Sequence, residues 1–146
     1  MDIPPSSHAL VGLQFLSIGV GVLPYAGQSG AAWWLGISLV GILIGLYTLL
    51  HNRIGNFGPY PEPLERASLV VTGPYRWVRH PMYLSVILFM LGIAMYNGGL
   101  LNQLALITLL IAIFGKIYRE ERYLRERFGD YDAYCGNCKR LIPFIF

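Results

Sequence analysis

Four apolar runs separated by short polar segments set the terms for this chain: Ala9–Pro24, Ala31–Leu50, Pro81–Tyr96 and Leu104–Ile117. The second is 20 residues without a charge, enough to cross a hydrocarbon core about 30 Å thick. The other three, at 14–16 residues, need the Tyr, Asn and Gln at their ends to reach the interface. Any one of them could be the core helix of a soluble domain. Four in 146 residues, with 13% charged residues and a mean hydropathy of +0.51, imply a small polytopic membrane protein instead. The expectation is a single all-α domain over residues 1–146 with four transmembrane helices.

Charge placement orients those helices. All eleven Lys and Arg fall in two places. Arg53, Arg66, Arg76 and Arg79 lie between the second and third runs; the remaining seven lie at or after the end of the fourth. The connections Tyr25–Gly30 and Asn97–Gln103 contain none. By the positive-inside rule both basic segments, and therefore both termini, are cytoplasmic. The net charge of +3 then belongs to a face turned toward anionic headgroups, with no nucleic-acid partner implied. The N-terminus lacks the basic region and cleavage site of a signal peptide, so the first run is expected to be retained.

Between the runs, glycine and proline mark the breaks. Gly41 and Gly45, four apart on the second run, form a face that lets another helix approach closely. Asn52–Arg66 carries Gly55, Gly58, Pro59, Pro61 and Pro63 and reads as an irregular cytoplasmic loop. Leu69–Thr72 is expected to be extended and Gly73-Pro74 to turn. Asn97-Gly-Gly closes a hairpin of the third and fourth helices. The fourth should run on into the cytoplasm to Phe128, with Gly129 as its C-cap, and the apolar tail ending in Phe146 should fold back on the membrane face. Cys135 and Cys138 read as two reduced thiols on the cytoplasmic side. They lack the further ligands of a zinc site and the βαβ context of a redox motif.

The chemistry concentrates where the hairpin meets water. Tyr75, Arg76, Arg79, His80 and Tyr83 enter it, and Arg119, Glu120, Glu121 and Arg122 leave it. Because a hairpin returns the chain to one side, the two clusters can meet. Taken singly, the arginines are positive-inside anchors, the aromatics an interfacial belt, and His80 an N-cap before Pro81. Glu120 and Glu121 are neighbours on a helix and face different ways. One carboxylate can therefore face a ligand while the other pairs with an arginine such as Arg125.

Order and spacing carry more. Val71-Thr-Gly-Pro-Tyr-Arg-Trp-Val-Arg-His-Pro-Met-Tyr83 is followed by a hairpin. Then come Glu120-Glu-x-x-Leu124-x-x-x-Phe128-Gly129, Tyr131-x-x-Tyr134 and Arg140-x-x-Pro143. Over about half of the chain this string resembles the isoprenylcysteine carboxyl methyltransferase family, whose wider relatives include phospholipid N-methyltransferases. The resemblance implies S-adenosylmethionine bound without a Rossmann domain, and the sequence indeed has no G-x-G-x-x-G between a strand and a helix. It implies a cytoplasmic cofactor pocket formed by the hairpin end and the C-terminal helix. Tyr75, Arg79, His80, Pro81 and Tyr83 would line one side, with Glu120 and Glu121 on the other. The chemistry of methyl transfer then gives a candidate catalytic set of Arg79, His80, Arg119, Glu121 and Arg122. Within it Arg119 or Arg122 would orient a carboxylate acceptor, and His80 or Glu121 would take a proton from an amine or thiol. No metal is implied.

The compact length resembles prokaryotic members, which places the expected enzyme in the inner (plasma) membrane. Its acceptor is expected to be lipophilic or small. The carboxylate of an isoprenylcysteine-like thioether comes first, a phospholipid amine or small thiol next; membrane lipids are partners, and nothing in the sequence sets an oligomeric state. Two other classes stand beside this: an NADPH-dependent membrane reductase, and a non-enzymatic membrane subunit anchored by its basic face.

Overall fold

A computed structural model describes residues 3–25, 30–52, 58–62 and 67–143. Among these the regular elements are helices: α1 (Pro5–Val22), α2 (Trp33–His51), α3 (Pro81–Asn97), α4 (Leu100–Arg127) and a short α5 (Tyr131–Asn137), with a 3₁₀ turn at Gly73–Arg76. Arg53, Gly55, Pro63, Arg66 and the end of the tail at residues 144–146 lie outside the described residues.

Helix ends follow proline and glycine. Pro5 and Pro81 occupy first-turn positions, where a missing N–H is harmless and the fixed φ is already helical. Gly98 ends α3 in the left-handed conformation at φ 66°, which glycine adopts without a Cβ clash. Gly99 then starts α4, four residues before the apolar run begins. Gly129 does not play the same part. α4 closes on Phe128 in an extended conformation, and among the described glycines only Gly73 and Gly98 have positive φ.

Small residues decide the packing. α2 lies along α3, and a Cβ at Gly41 would sit 2.6 Å from the Phe89 amide and 2.7 Å from the Ser85 carbonyl oxygen. Gly45 abuts the Ser85 side chain, and Gly92 of α3 abuts Ser38 of α2. Ser38 Oγ donates to the Phe89 carbonyl at 2.9 Å. α1 lies along α4, joined by Ser17 and Thr108 at 2.9 Å. At the C-terminal end of α1, Asn102 Nδ2 donates to the carbonyls of Gly21 and Leu23 at 2.8 Å each, and Asn97 reaches Val22. These side chains satisfy carbonyls that a helix C-terminus leaves unpaired. The central core is built by Met90, Ala94, Leu106, Leu109, Ile113, Ile117 and Leu141.

Large apolar side chains face outward instead, among them Leu39, Leu43 and Leu46 of α2 and Leu104, Ile107 and Ile111 of α4. Small residues inside and bulky aliphatics outside is the packing of helices in lipid. Two helices, α2 and α4, are long and apolar enough to cross a membrane, and α3 is apolar but shorter. At 28 residues α4 is about 42 Å long, more than a hydrocarbon core needs. Its apolar stretch closes at Ile117, and seven of the nine residues 119–127 are charged. That end of the helix, with Glu120 and Glu121, stands beyond the apolar span.

The tail takes a course of its own. After α5 it runs beside the entry to α3, where the Arg79 and His80 amides donate to the carbonyls of Lys139 (2.7 Å) and Arg140 (3.0 Å). Leu141 is buried in the helical core. The described part of the tail therefore packs against the hairpin base, and the last residues of the apolar tail, 144–146, lie outside the described residues. The backbone pairing holds it there and Leu141 has apolar neighbours to join.

Candidate functional site

The turn before α3 is held tightly. Gly73 has φ 60°, and a Cβ there would collide with the His51 ring; His51 in turn bonds Thr72 at 3.0 Å. This sets Tyr75, whose hydroxyl accepts from Asn52 Nδ2 at 3.1 Å and whose carbonyl accepts from the Tyr134 hydroxyl at 2.6 Å. Burial, reinforced by Glu120, pushes the Tyr75 hydroxyl up to about 12, so it stays protonated. His80 sits at the N-cap position of α3, but its ring does not cap the helix. Buried, it stacks near Tyr83 at 5.6 Å. Its Nε2 lies 3.4 Å from Glu121 and its Nδ1 lies 3.9 Å from Glu120.

The two glutamates divide as the helical period requires. Glu121 turns inward and is clamped. Arg79 reaches its Oε1 through Nε and Nη2 at 3.0 Å each, and Arg140 donates through Nε and Nη2 at 3.1–3.2 Å. Arg125, four residues on, stands 3.7 Å away. Burial alone would raise the carboxyl, but the bonds and charges of His80 and Arg79 outweigh it and hold it at about 2. Arg79 spends its remaining donors on the carbonyls of Cys135 (3.2 Å) and Cys138 (2.7 Å), tying the end of α5 to the hairpin. Glu120 faces the other way and accepts from the Tyr83 hydroxyl at 2.8 Å.

Glu120 thereby lines a cavity of about 400 Å³. Tyr75, Arg79, His80, Pro81 and Tyr83 line it too, so six of the seven residues of the cofactor set surround one space. Glu121 stands behind that wall. Arg119 and Arg122 are not brought to the cavity. Arg119 Nη1 donates to Ser7 Oγ at 2.9 Å on the α1 side, and Arg122 pairs with Glu126 on the exposed surface. On a helix of 3.6 residues per turn the cavity-facing row through Glu120 is Lys116, Leu124 and Phe128, which excludes 119 and 122.

Six further lining residues were not in the site set expected from the sequence. Lys116 is 2% exposed, donates to Gln14 Oε1 and the Pro59 carbonyl at 2.6 Å each, and lies 5.2 Å from the centre of the Tyr83 ring. The α1 residues Gln14, Phe15 and Ile18 form a wall, and Glu62 and Tyr131 complete it. Lys116 had a signal: four residues before Glu120, it shares that face. One end of the space is rich in polar groups; Phe15, Ile18, Leu69 and Val86 give it an apolar side.

Comparison with known proteins gives a consistent result. A family model described as phospholipid methyltransferase matches residues 31–131, a range that holds every cavity wall except α1 and Tyr134. The chain is 37% identical over 114 residues to the protein-S-isoprenylcysteine O-methyltransferase of Saccharomyces cerevisiae, covering 71% of this chain and 46% of that protein. It is 37% identical over 79 residues to the Schizosaccharomyces pombe protein of the same name, covering 53% and 34% respectively. Against the uncharacterized protein YpbQ of Bacillus subtilis it is 30% identical over 118 residues, covering 78% and 66%. The chain thus spans less than half the length of the two yeast relatives.

Proposed function

The chain belongs to the phospholipid methyltransferase family, and on that premise we propose that it is a membrane enzyme transferring a methyl group from S-adenosylmethionine to a lipophilic or small acceptor. Residues 1–146 act as one domain in this reading. α1 to α4 all cross the inner (plasma) membrane, and both termini and the cavity lie on the cytoplasmic side. The paired basic segments support that orientation.

The observation that carries the proposal is the convergence of Tyr75, Arg79, His80, Pro81, Tyr83 and Glu120 on one cavity. Its volume of about 400 Å³ lies in the range of small-molecule sites, and its mixed walls suit a ligand with a charged part and a flat or apolar part. S-adenosylmethionine, when bound, supplies an electrophilic methyl on a sulfonium centre. The chain's share of the work is position and dryness. Glu120, oriented by Tyr83, offers a carboxylate to a cationic group. Arg79 and Glu121, locked to each other, keep the C-terminal wall closed against the hairpin. In this reading His80, which lies between both glutamates, accepts the proton of an amine or thiol acceptor.

The names of the yeast relatives support the carboxylate of an isoprenylcysteine-like thioether as the acceptor. One feature favours an amine: Arg79 is committed to Glu121, while Glu62 and Glu120 both line the cavity and repel an anion.

Calorimetric titration of the detergent-purified protein with S-adenosylhomocysteine, with NADPH in parallel, tests the reading. Saturable binding of S-adenosylhomocysteine alone is expected. Binding of NADPH alone would assign a reductase, and binding of neither would leave a membrane subunit without this activity.

A further inference from the structure

Three buried side-chain oxygens among the described residues have no hydrogen-bond partner: Glu62 Oε2, the Tyr131 hydroxyl and Asn102 Oδ1. Folded proteins leave few such groups. Asn102 lies at the C-terminal end of α1, but Glu62 and Tyr131 both line the cavity.

Tyr131 is 1% exposed, its ring 6.0 Å from Tyr134 and 5.9 Å from the Arg125 guanidinium. Burial, with Glu121 nearby, pushes its hydroxyl up, so it remains a proton donor with nothing to donate to. Glu62 is fixed from behind. Its Oε1 accepts from the Ser7 hydroxyl, and Ser7, fully buried, accepts from Arg119 at 2.9 Å. The same segment is tied down by Tyr60 to His8 at 3.1 Å and by the Pro59 carbonyl to Lys116 at 2.6 Å. A carboxylate held this firmly, with one oxygen shut from water and without a hydrogen-bond partner, is an open acceptor on the cavity wall.

The charges of the wall agree. Arg79 is balanced by Glu121, which leaves Lys116 as one ammonium against the carboxylates of Glu62 and Glu120.

Resting on the methyltransferase reading, we propose that Glu62 and Tyr131 are ligand-binding residues of this cavity: Glu62, with Glu120, takes a cationic centre, and Tyr131 donates to a ligand oxygen or nitrogen. Arg119, acting through Ser7, is a positioning residue for Glu62. The cationic centre belongs either to the methyl donor, as sulfonium or α-ammonium, or to an amine acceptor.

The test is calorimetry on purified wild type, Glu62→Gln, Tyr131→Phe and Arg119→Met. Each is titrated with S-adenosylmethionine, S-adenosylhomocysteine and a long-chain primary amine, and melted without ligand. Glu62→Gln is expected to weaken at least one of these ligands by roughly tenfold or more. Loss for S-adenosylmethionine alone assigns the sulfonium, equal loss for both nucleosides the α-ammonium, and loss for the amine alone the acceptor. Arg119→Met should reproduce the same ligand pattern, and Arg119→Lys should restore it. Tyr131→Phe should weaken S-adenosylhomocysteine while the ligand-free melting temperature stays level or rises, because an unpaired buried hydroxyl is gone. If both cavity variants bind all three ligands like wild type and melt lower, the two groups are structural and the proposal fails. Wild type that binds neither nucleoside overturns the methyltransferase reading, and this inference with it.

Discussion

Replacing Glu121 by glutamine should destabilise the protein more than any other single polar change near the cavity, and the structure sets the size. Four cationic or protonatable groups surround this carboxylate, but they are not equivalent. The side chains of Arg140 and Arg125 are 41% and 44% exposed, so water compensates them when their partner is lost, and each accounts for no more than about 1 kcal/mol. The Arg79 side chain is only 9% exposed. Left without its carboxylate it becomes a buried unpaired charge, a loss of about 3–5 kcal/mol. Acid titration offers a second route to the number. The carboxyl stands at about 2 against an ordinary 4.5, a difference worth about 3 kcal/mol. The group is depressed in the folded state, so its contribution is complete above pH 4.5 and is lost as pH falls through about 2.

The assay is thermal unfolding in detergent of wild type, Glu121→Gln, Arg79→Gln and the double variant, each followed from pH 6 down to the acid limb. Each single variant should melt well below wild type, and the double variant should lose far less than their sum, because the first change already removes the partner of the second. Glu121→Gln should also flatten the loss of stability between pH 4.5 and 2. Strict additivity, or a Glu121→Gln variant within about 1 kcal/mol of wild type, would refute the assignment of Glu121 as the clamp.

Four further outcomes follow from the packing and the site. Gly41→Ala should lower the melting temperature by the equivalent of about 1–3 kcal/mol, since its methyl meets α3 backbone. Gly36→Ala, with open space at its Cβ, should be neutral or slightly stabilising in the same melt. Lys116→Met should free the Pro59 carbonyl and speed amide hydrogen exchange across residues 58–62, measured by mass spectrometry; unchanged protection there would show that the segment does not depend on this ammonium. Arg122→Ala should leave S-adenosylhomocysteine affinity and stability near wild type, as expected of an exposed i,i+4 pair, and a tenfold loss of affinity would place its guanidinium in the cavity after all.

The elements were largely legible because they are written in composition that one helix decides for itself. Pro81 marks a first turn, Asn97-Gly-Gly a hairpin turn, and the apolar runs the helices, although α1 starts at Pro5, ahead of its run. The family was legible too, since the Arg79-His80-Pro81-x-Tyr83 and Glu120-Glu121 motifs are local strings. What stayed hidden is long-range. Nothing in Gln14, Phe15 or Ile18 says that α1 closes the cavity, because that follows from α1 packing along α4 rather than from any property of α1. Glu62 falls in a stretch whose Gly and Pro content reads only as loop, and its ties to Ser7, 55 positions away, leave no periodic trace.

The arginines of α4 show where a local reading goes astray even when the element is right. Arg119, Glu120, Glu121 and Arg122 are contiguous in sequence, and contiguity suggested a shared site. A helix turns about 100° per residue, so four consecutive residues sweep most of its circumference and must meet four different environments. Glu120 meets the cavity, Glu121 the buried clamp, Arg119 the α1 side and Arg122 solvent. The row that shares the Glu120 environment is spaced by four, from Lys116 to Phe128, and its first member lies inside what hydropathy marks as apolar span. A buried lysine there is costly unless partners meet its donors, and Gln14 and Pro59 do so. The cost of placing Lys116 at that depth therefore falls on α1 and the loop, which must both be in place before the α4 face is tolerable. The cavity and the closing of α1 and residues 58–62 over it are on this account one folding event.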